Sequence, residues 1–113
     1  MTSLDLASHP QARFRIDTFL VPASARAEFD SAARRNLDFI RTQPGFLGHW
    51  VFEKTAGPGR FDVVTVAAWE SQEAIDRAGA AVRAYYQRIG FDPPAFMAAR
   101  GIGGEIGTFR GVP

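Results

Sequence analysis

Residues 61–86, FDVVTVAAWESQEAIDRAGAAVRAYY, constrain the fold more than any other stretch. They read in order as a strand, an aromatic stop, a helix cap and an amphipathic helix. Phe61 to Trp69 is mostly β-branched or apolar, with Val63, Val64, Thr65 and Val66 in an unbroken run, which predicts a strand covered on both faces. Ser71 stands where an N-cap belongs, with Glu70 and Glu73 supplying negative charge near the helix start. Ile75, Ala78, Val82, Tyr85, Tyr86 and Ile89 follow at helical spacing, while Glu73, Asp76, Arg77, Arg83 and Arg88 take other faces. The stretch is a helix laid on a sheet.

The remaining elements fall around it. Residues 1–12 are polar and without period and read as a flexible arm, leaving 13–113 as a single domain. Phe14 to Val21 alternates as a first strand, with Phe14, Ile16, Thr18 and Leu20 on one face and Arg15, Asp17, Phe19 and Val21 on the other. Pro22 ends it, and Ser24 is the expected cap of a helix running to about Thr42. Leu47 to Lys54 is a second strand, in which Trp50 and Phe52 alternate with Leu47, His49 and Val51. The Gly57 to Gly59 turn joins it to the third strand. The second helix ends near Gly90, Asp92-Pro93-Pro94 opens a short helical turn, and Ile102 to Arg110 is a glycine-rich last strand. The order strand, helix, strand, strand, helix, strand is the ferredoxin-like βαββαβ arrangement: an α+β fold, an antiparallel sheet with two helices on one face.

Two helices cover only one side of such a sheet, yet the strands are apolar on both. A second copy of the same sheet is the simplest cover, so the pattern predicts a homodimer through sheet faces. On the first helix Asn36 points into the middle of an apolar sector formed by Ala25, Phe29, Ala32, Ala33, Leu37, Phe39 and Ile40. A buried amide needs partners, and Asn36 either bonds a strand-end backbone group or a water, or faces a ligand cavity.

Composition removes whole classes of chemistry. With no cysteine in 113 residues there is no disulfide, thiolate nucleophile or cysteine-bound cluster. His9 and His49 are far apart and lack carboxylates at ligand spacing, so no metal site is expected. No G-x-S-x-G occurs, and the glycines at 101, 103, 104 and 107 precede a strand where a dinucleotide fingerprint needs a helix. A net charge of +1 offers no field for nucleic acid or anionic membranes. The aromatic run from Gly45 to Phe52 is similar to an RNA-binding sheet motif but sits on the second strand, where that motif occupies the third. No stretch is long and apolar enough to span a bilayer, and no signal peptide is visible, which leaves a cytoplasmic protein as the expectation.

FLVP at 19–22, Asn36, PGFLGH at 44–49, VTVAAWES at 64–71 with Ala74, and GFDP at 90–93 together resemble the antibiotic biosynthesis monooxygenase family, over roughly residues 14–110. The resemblance implies a dimeric α+β barrel with a pocket in each subunit between helices and sheet. Some members of that family oxidise aromatic polyketides with molecular oxygen and no metal or flavin, similar proteins oxidise quinols, and a related branch degrades haem. Trp69 matches a tryptophan that lines the pocket in oxygenase members. Thr65 stands where the polyketide-oxidising type has an asparagine, and Gly79 where the haem-degrading type has a histidine.

The expected site residues are Asn36, Trp69 and His49 for chemistry, and Tyr86, Thr65 and Phe39 for substrate contact. Asn36 and the Trp69 indole N–H can donate to a carbonyl or nascent oxyanion. His49 can act as a base near neutral pH, although it is also expected beside the dimer seam. The function these imply is a monooxygenase without cofactor, acting on a small aromatic substrate of polyketide, quinol or phenol type. The alternative is a non-catalytic dimeric module that binds a small apolar metabolite.

Overall fold

The computed structural model describes residues 5 and 8–112, and the rest of the anticipated arm lies outside the described residues. The elements run β1 (Arg13–Leu20), a 3-10 turn (Ala23–Ala25), α1 (Arg26–Ile40), β2 (Phe46–Glu53), β3 (Val63–Trp69), α2 (Gln72–Ile89), α3 (Pro93–Arg100) and β4 (Gly103–Phe109). The four strands pair in the order β2-β3-β1-β4, every neighbouring pair antiparallel. This is the ferredoxin-like α+β topology that the element order predicts.

Local chemistry explains most of the boundaries. The Ser71 hydroxyl accepts from the Ala74 backbone N–H at 3.1 Å, and Gly90 closes α2 in the left-handed conformation. Asp92 caps α3 in the same way, accepting from Ala95 N–H at 3.2 Å, with Pro93 at the first helical position. Ser24 is not the cap of α1. The backbone N–H of Ala25 donates to Pro22 C=O at 2.9 Å, so a 3-10 turn closes first and α1 starts from Ala25 without a side-chain cap.

Strand register decides which residues meet the helices. Phe19 on β1 packs edge-on against Phe29 of α1, centroids 5.0 Å apart, so the odd-numbered positions of β1 face the helix layer. Pairing carries that face across the sheet to Val63, Thr65, Ala67 and Trp69 of β3. On β2 a register shift between Phe46 and Gly48 makes Leu47 a bulge, so Phe46 and His49 both point to the helix side. The bulge corrects the expected strict alternation at Phe46 and Leu47, while His49, on the face opposite Trp50 and Phe52, lies on the covered side and not on the open sheet face that a dimer would use.

The open face carries Phe14, Ile16, Leu20, Trp50, Phe52, Val64, Val66 and Phe109, of which Trp50 and Phe52 are 45% and 54% exposed. The Trp50 ring lies over Gly48 and the Phe109 ring over Gly107, so close that an added Cβ would sit 3.0 Å and 2.8 Å from them. Glycine lets both aromatics lie flat on the sheet.

Under the helices the core is in two pieces. One joins Val21, Ala25, Phe29, Val63 and Ile102, with Phe19, Phe96 and Met97 against it. The other joins Trp69, Ala74 and Ala78, with Ile40, Phe46, Ala67 and Ile75 against it. A domain of this size ordinarily has one contiguous core. The break between the two pieces is where the polar residues of the covered face lie.

Candidate active site

β3 spans the break. Val63 belongs to one core piece and Trp69 to the other, with Thr65 between them. Directly across from Thr65 on β1 is Asp17, and two residues along the same face Arg15 lies opposite Ala67. From above, α1 packs Phe29 onto the first piece and Ile40 onto the second. Asn36, seven residues after Phe29 and four before Ile40, lies on the same helical face between them. From α2, Tyr86 is close enough to Arg35, Arg15 and Asp17 for all three charges to act on its phenol. Thr65, Asn36 and Tyr86 are thus brought to one polar layer, bounded on one side by Trp69.

Trp69 is held in place by the start of α2. Ser71 caps that helix two residues after the indole, and the small side chains of Ala74 and Ala78 let it lie close on the ring, which Phe46 meets edge-on at 5.5 Å. The residue is only 5% exposed. Its indole N–H nevertheless makes no hydrogen bond among the described residues, and no side-chain nitrogen or oxygen there is both sealed and unpartnered. The N–H therefore opens onto accessible space. The hydroxyls of Thr65 and Tyr86, both half-buried and without a hydrogen bond among the described residues, open in the same way.

The other expected residues sit differently. The Asn36 side-chain oxygen accepts from Arg35 Nε at 3.2 Å and from a terminal guanidinium nitrogen at 3.1 Å, so its carbonyl is engaged by its own neighbour. Phe39 stacks face to face on Tyr85, centroids 4.2 Å apart, and joins α1 to α2. His49 lies outside the polar layer, in a shallow cleft of about 250 Å³ with Leu37, Arg41 and Phe46. Burial, and then the Arg41 charge, holds its imidazole below the ordinary range, so it is neutral at pH 7. A second, more open groove of about 510 Å³ runs between α1 and α3, lined by Arg35 and Phe96 among others.

The residues missed at the sequence level are Arg15 and Asp17. The Arg15 Nε donates to Asp17 Oδ1 at 2.8 Å on the helix-covered face of a central strand. Burial pushes the Asp17 carboxyl up, against the opposing pull of Arg15. Their signal is in the alternation of β1, which sets two charged residues on the same face as Phe19 and Val21. Burial pushes the Tyr86 phenol up as well. Among the described residues no three His, Cys, Asp or Glu side chains stand together as metal ligands, and no helix is long and apolar enough to cross a membrane.

Comparison with known proteins adds the lineage. SnoaB, a cofactor-independent oxygenase from Streptomyces nogalater, is 27% identical with a TM-score of 0.67, over 91% of this chain and 95% of SnoaB. A protein from Shewanella loihica PV-4 is 20% identical with a TM-score of 0.69, over 90% of this chain and 95% of that one. A variant of MhuD with two manganese protoporphyrin IX bound per active site is 24% identical with a TM-score of 0.67, over 89% and 95% of the two chains. The last two share the fold. No match is found among curated proteins. The sequence model of antibiotic biosynthesis monooxygenases matches residues 14–85, well over half of the 113. This chain belongs to the antibiotic biosynthesis monooxygenase family.

Proposed function

We propose that this protein is a cofactor-independent monooxygenase that oxidises a small aromatic substrate of quinol, phenol or polyketide type with molecular oxygen, in the gap between the two pieces of its core. The observation that carries the reading is the set of open donors at that gap. The indole N–H of Trp69 and the hydroxyls of Thr65 and Tyr86 all lack partners among the described residues, between two apolar pieces of core. Fixed donors beside apolar walls suit a flat aromatic body with an oxygen substituent. A substrate anion that reduces oxygen directly needs little from the protein beyond deprotonation, stabilisation of the oxyanion and exclusion of water. The similarity to SnoaB, itself a cofactor-independent oxygenase, supports the same class of chemistry.

Within this reading Trp69 and Thr65 border the substrate, Tyr86 contacts it from α2, and Asn36 reaches it with the amide NH₂ that Arg35 leaves free. Phe39 acts by holding the two long helices together. His49 is a neutral base available at the adjacent cleft rather than within the gap. The open sheet face supports a homodimer, because Trp50 and Phe52 on one edge strand and Phe109 on the other leave that apolar face exposed from edge to edge.

Oxygen uptake by purified, metal-free protein against a panel of anthrones, naphthols and quinols tests the proposal. The expected result is uptake well above the uncatalysed rate, falling at least tenfold in Trp69→Phe and in Asn36→Ala. Uptake at the background rate across the panel, with tight binding of the same compounds, would instead identify a non-catalytic binding module.

A further inference from the structure

The core members of the covered face of β1 and β3 are apolar: Phe19 and Val63 in one core piece, Ala67 and Trp69 in the other. Arg15 and Asp17 interrupt that face at its centre, on a strand paired on both sides. An ion pair under helices is a poor way to stabilise a fold, because an apolar pair of similar volume avoids the desolvation cost. Arg15 also spends its Nε on its own neighbour two residues away, tying no element to another.

The pair has a way in. Asp17 is paired on β4 with Ile106, which faces the helix side yet is 67% exposed, so the helix layer stops short of β4 beside the carboxylate. On its other side lies Thr65 with its open hydroxyl, and Tyr86 comes from above. The side chains of Arg15 and Asp17 are themselves 40% and 22% exposed, so both remain reachable.

We propose that Arg15 and Asp17 form the acid–base end of the site, with Asp17 accepting the proton of a phenolic or enolic hydroxyl and Arg15 holding the oxyanion so formed. The inference rests on the oxygenase reading for its substrate class and narrows that class to aromatics carrying an acidic hydroxyl. In the step the substrate O–H bond breaks and a carboxyl O–H bond forms. The electron pair stays on the substrate oxygen, and the negative charge moves from Asp17 to that oxygen, beside the same guanidinium. The net charge of the site is unchanged, so the transfer costs no new charge separation in a partly buried place. Burial also makes Asp17 a stronger base than an ordinary carboxylate. The groups that face it are Arg15 from its own strand and Tyr86 from α2, while β3 and β4 present the uncharged Thr65 and Ile106, and Arg35 of α1 acts on the Tyr86 phenol.

The test uses alizarin, a dihydroxyanthraquinone whose anion is coloured, titrated with pH under anaerobic conditions in excess protein. The bound dye should ionise about 1 unit or more below the free dye, as an oxyanion beside a cation does. Arg15→Gln should abolish that shift, and Arg15→Lys, which keeps the charge and guards against a loss of fold, should retain most of it. Asp17→Asn should increase the anionic fraction further by removing a repelling carboxylate. The same Asp17→Asn variant should slow oxygen uptake on the best quinol or naphthol at least tenfold and remove the acidic limb of its pH profile. A merely structural pair would move dye ionisation and turnover together. The pair is overturned if alizarin does not bind, if Arg15→Gln leaves its ionisation unchanged, or if Asp17→Asn turns over normally. Because the dye measurement needs no oxygen, a dye that shifts as described with no turnover on any substrate would sink the oxygenase reading and leave Arg15 as an oxyanion holder.

Discussion

Gly45→Ala is expected to be among the most costly single-methyl changes in this chain, and its cost separates into two measurable parts. Gly45 sits at the turn before β2 with φ +87°, and a Cβ built on it would lie 2.6 Å from the Cβ of Ala74. Non-bonded carbons prefer about 3.5–4.0 Å, so roughly 1 Å of movement is demanded. Ala74 is buried and its Cβ is fixed to the first turn of α2, so only the helix itself can give. The left-handed backbone costs alanine about 1–2 kcal/mol. Overpacking adds about 1–3 kcal/mol. The sum, about 2–5 kcal/mol, corresponds to a Tm lower by roughly 8–20 °C at about 4 °C per kcal/mol for a domain of this size. Gly57→Ala is the control, since Gly57 has φ +110° with nothing within 4 Å of a built Cβ, and it should lose only the backbone part. Thermal unfolding followed by circular dichroism measures both. Equal Tm values for the two variants would refute the steric half of the reasoning. Because the Gly45 C=O also accepts from the Glu70 N–H at 2.9 Å, next to Trp69, activity should fall in Gly45→Ala and be kept in Gly57→Ala.

Trp69→Ala should destabilise by about 3–5 kcal/mol through the cavity it leaves, measured by urea unfolding. Trp69→Phe should cost only about 1–2 kcal/mol while removing the indole N–H, so its activity should fall out of proportion to its stability. His49 has a folded pKa held below its unfolded value, so the unfolded chain takes up the proton more readily as pH falls below about 6.5. The stability of the wild type should be complete above that pH and decline below it, and His49→Gln should flatten that acid-side loss in unfolding curves taken between about pH 5 and 7.5. Trp50→Glu with Phe52→Lys on the open sheet face should convert a dimer to a monomer in light scattering, and a wild type that is already monomeric would contradict the dimer proposal.

Much of this structure was legible from pattern alone, for definite reasons. Ser71, Gly90 and Asp92 are residue types whose side chains or backbone freedom close helix ends wherever they stand, and each does so here. Ser24 misled because Pro22 and Ala25 close a 3-10 turn around it, which no side-chain preference announces. The bulge at Leu47 was equally silent, and one extra residue is enough to turn Phe46 onto the same covered face as His49. For the proposed site, Trp69 and Thr65 stand out through the family resemblance, and Tyr86 because a phenol near the sheet-facing sector of a helix needs a partner. Arg15 and Asp17 were in plain sight, but alternation along β1 shows only that they share a face with Phe19 and Val21. Which face the helices cover is fixed by the Phe19–Phe29 contact, a long-range fact. The split of the core into two pieces is of the same kind, since it depends on where α1 and α2 come to rest on the sheet.

The most direct test of oxygenase chemistry at Trp69 is oxygen-18 labelling with the best anthrone or naphthol, comparing wild type with Trp69→Phe. One oxygen atom from O₂ is expected in each product molecule, formed by the wild type and largely lost in the variant. Product without label, or labelled product formed equally fast by both proteins, would contradict it.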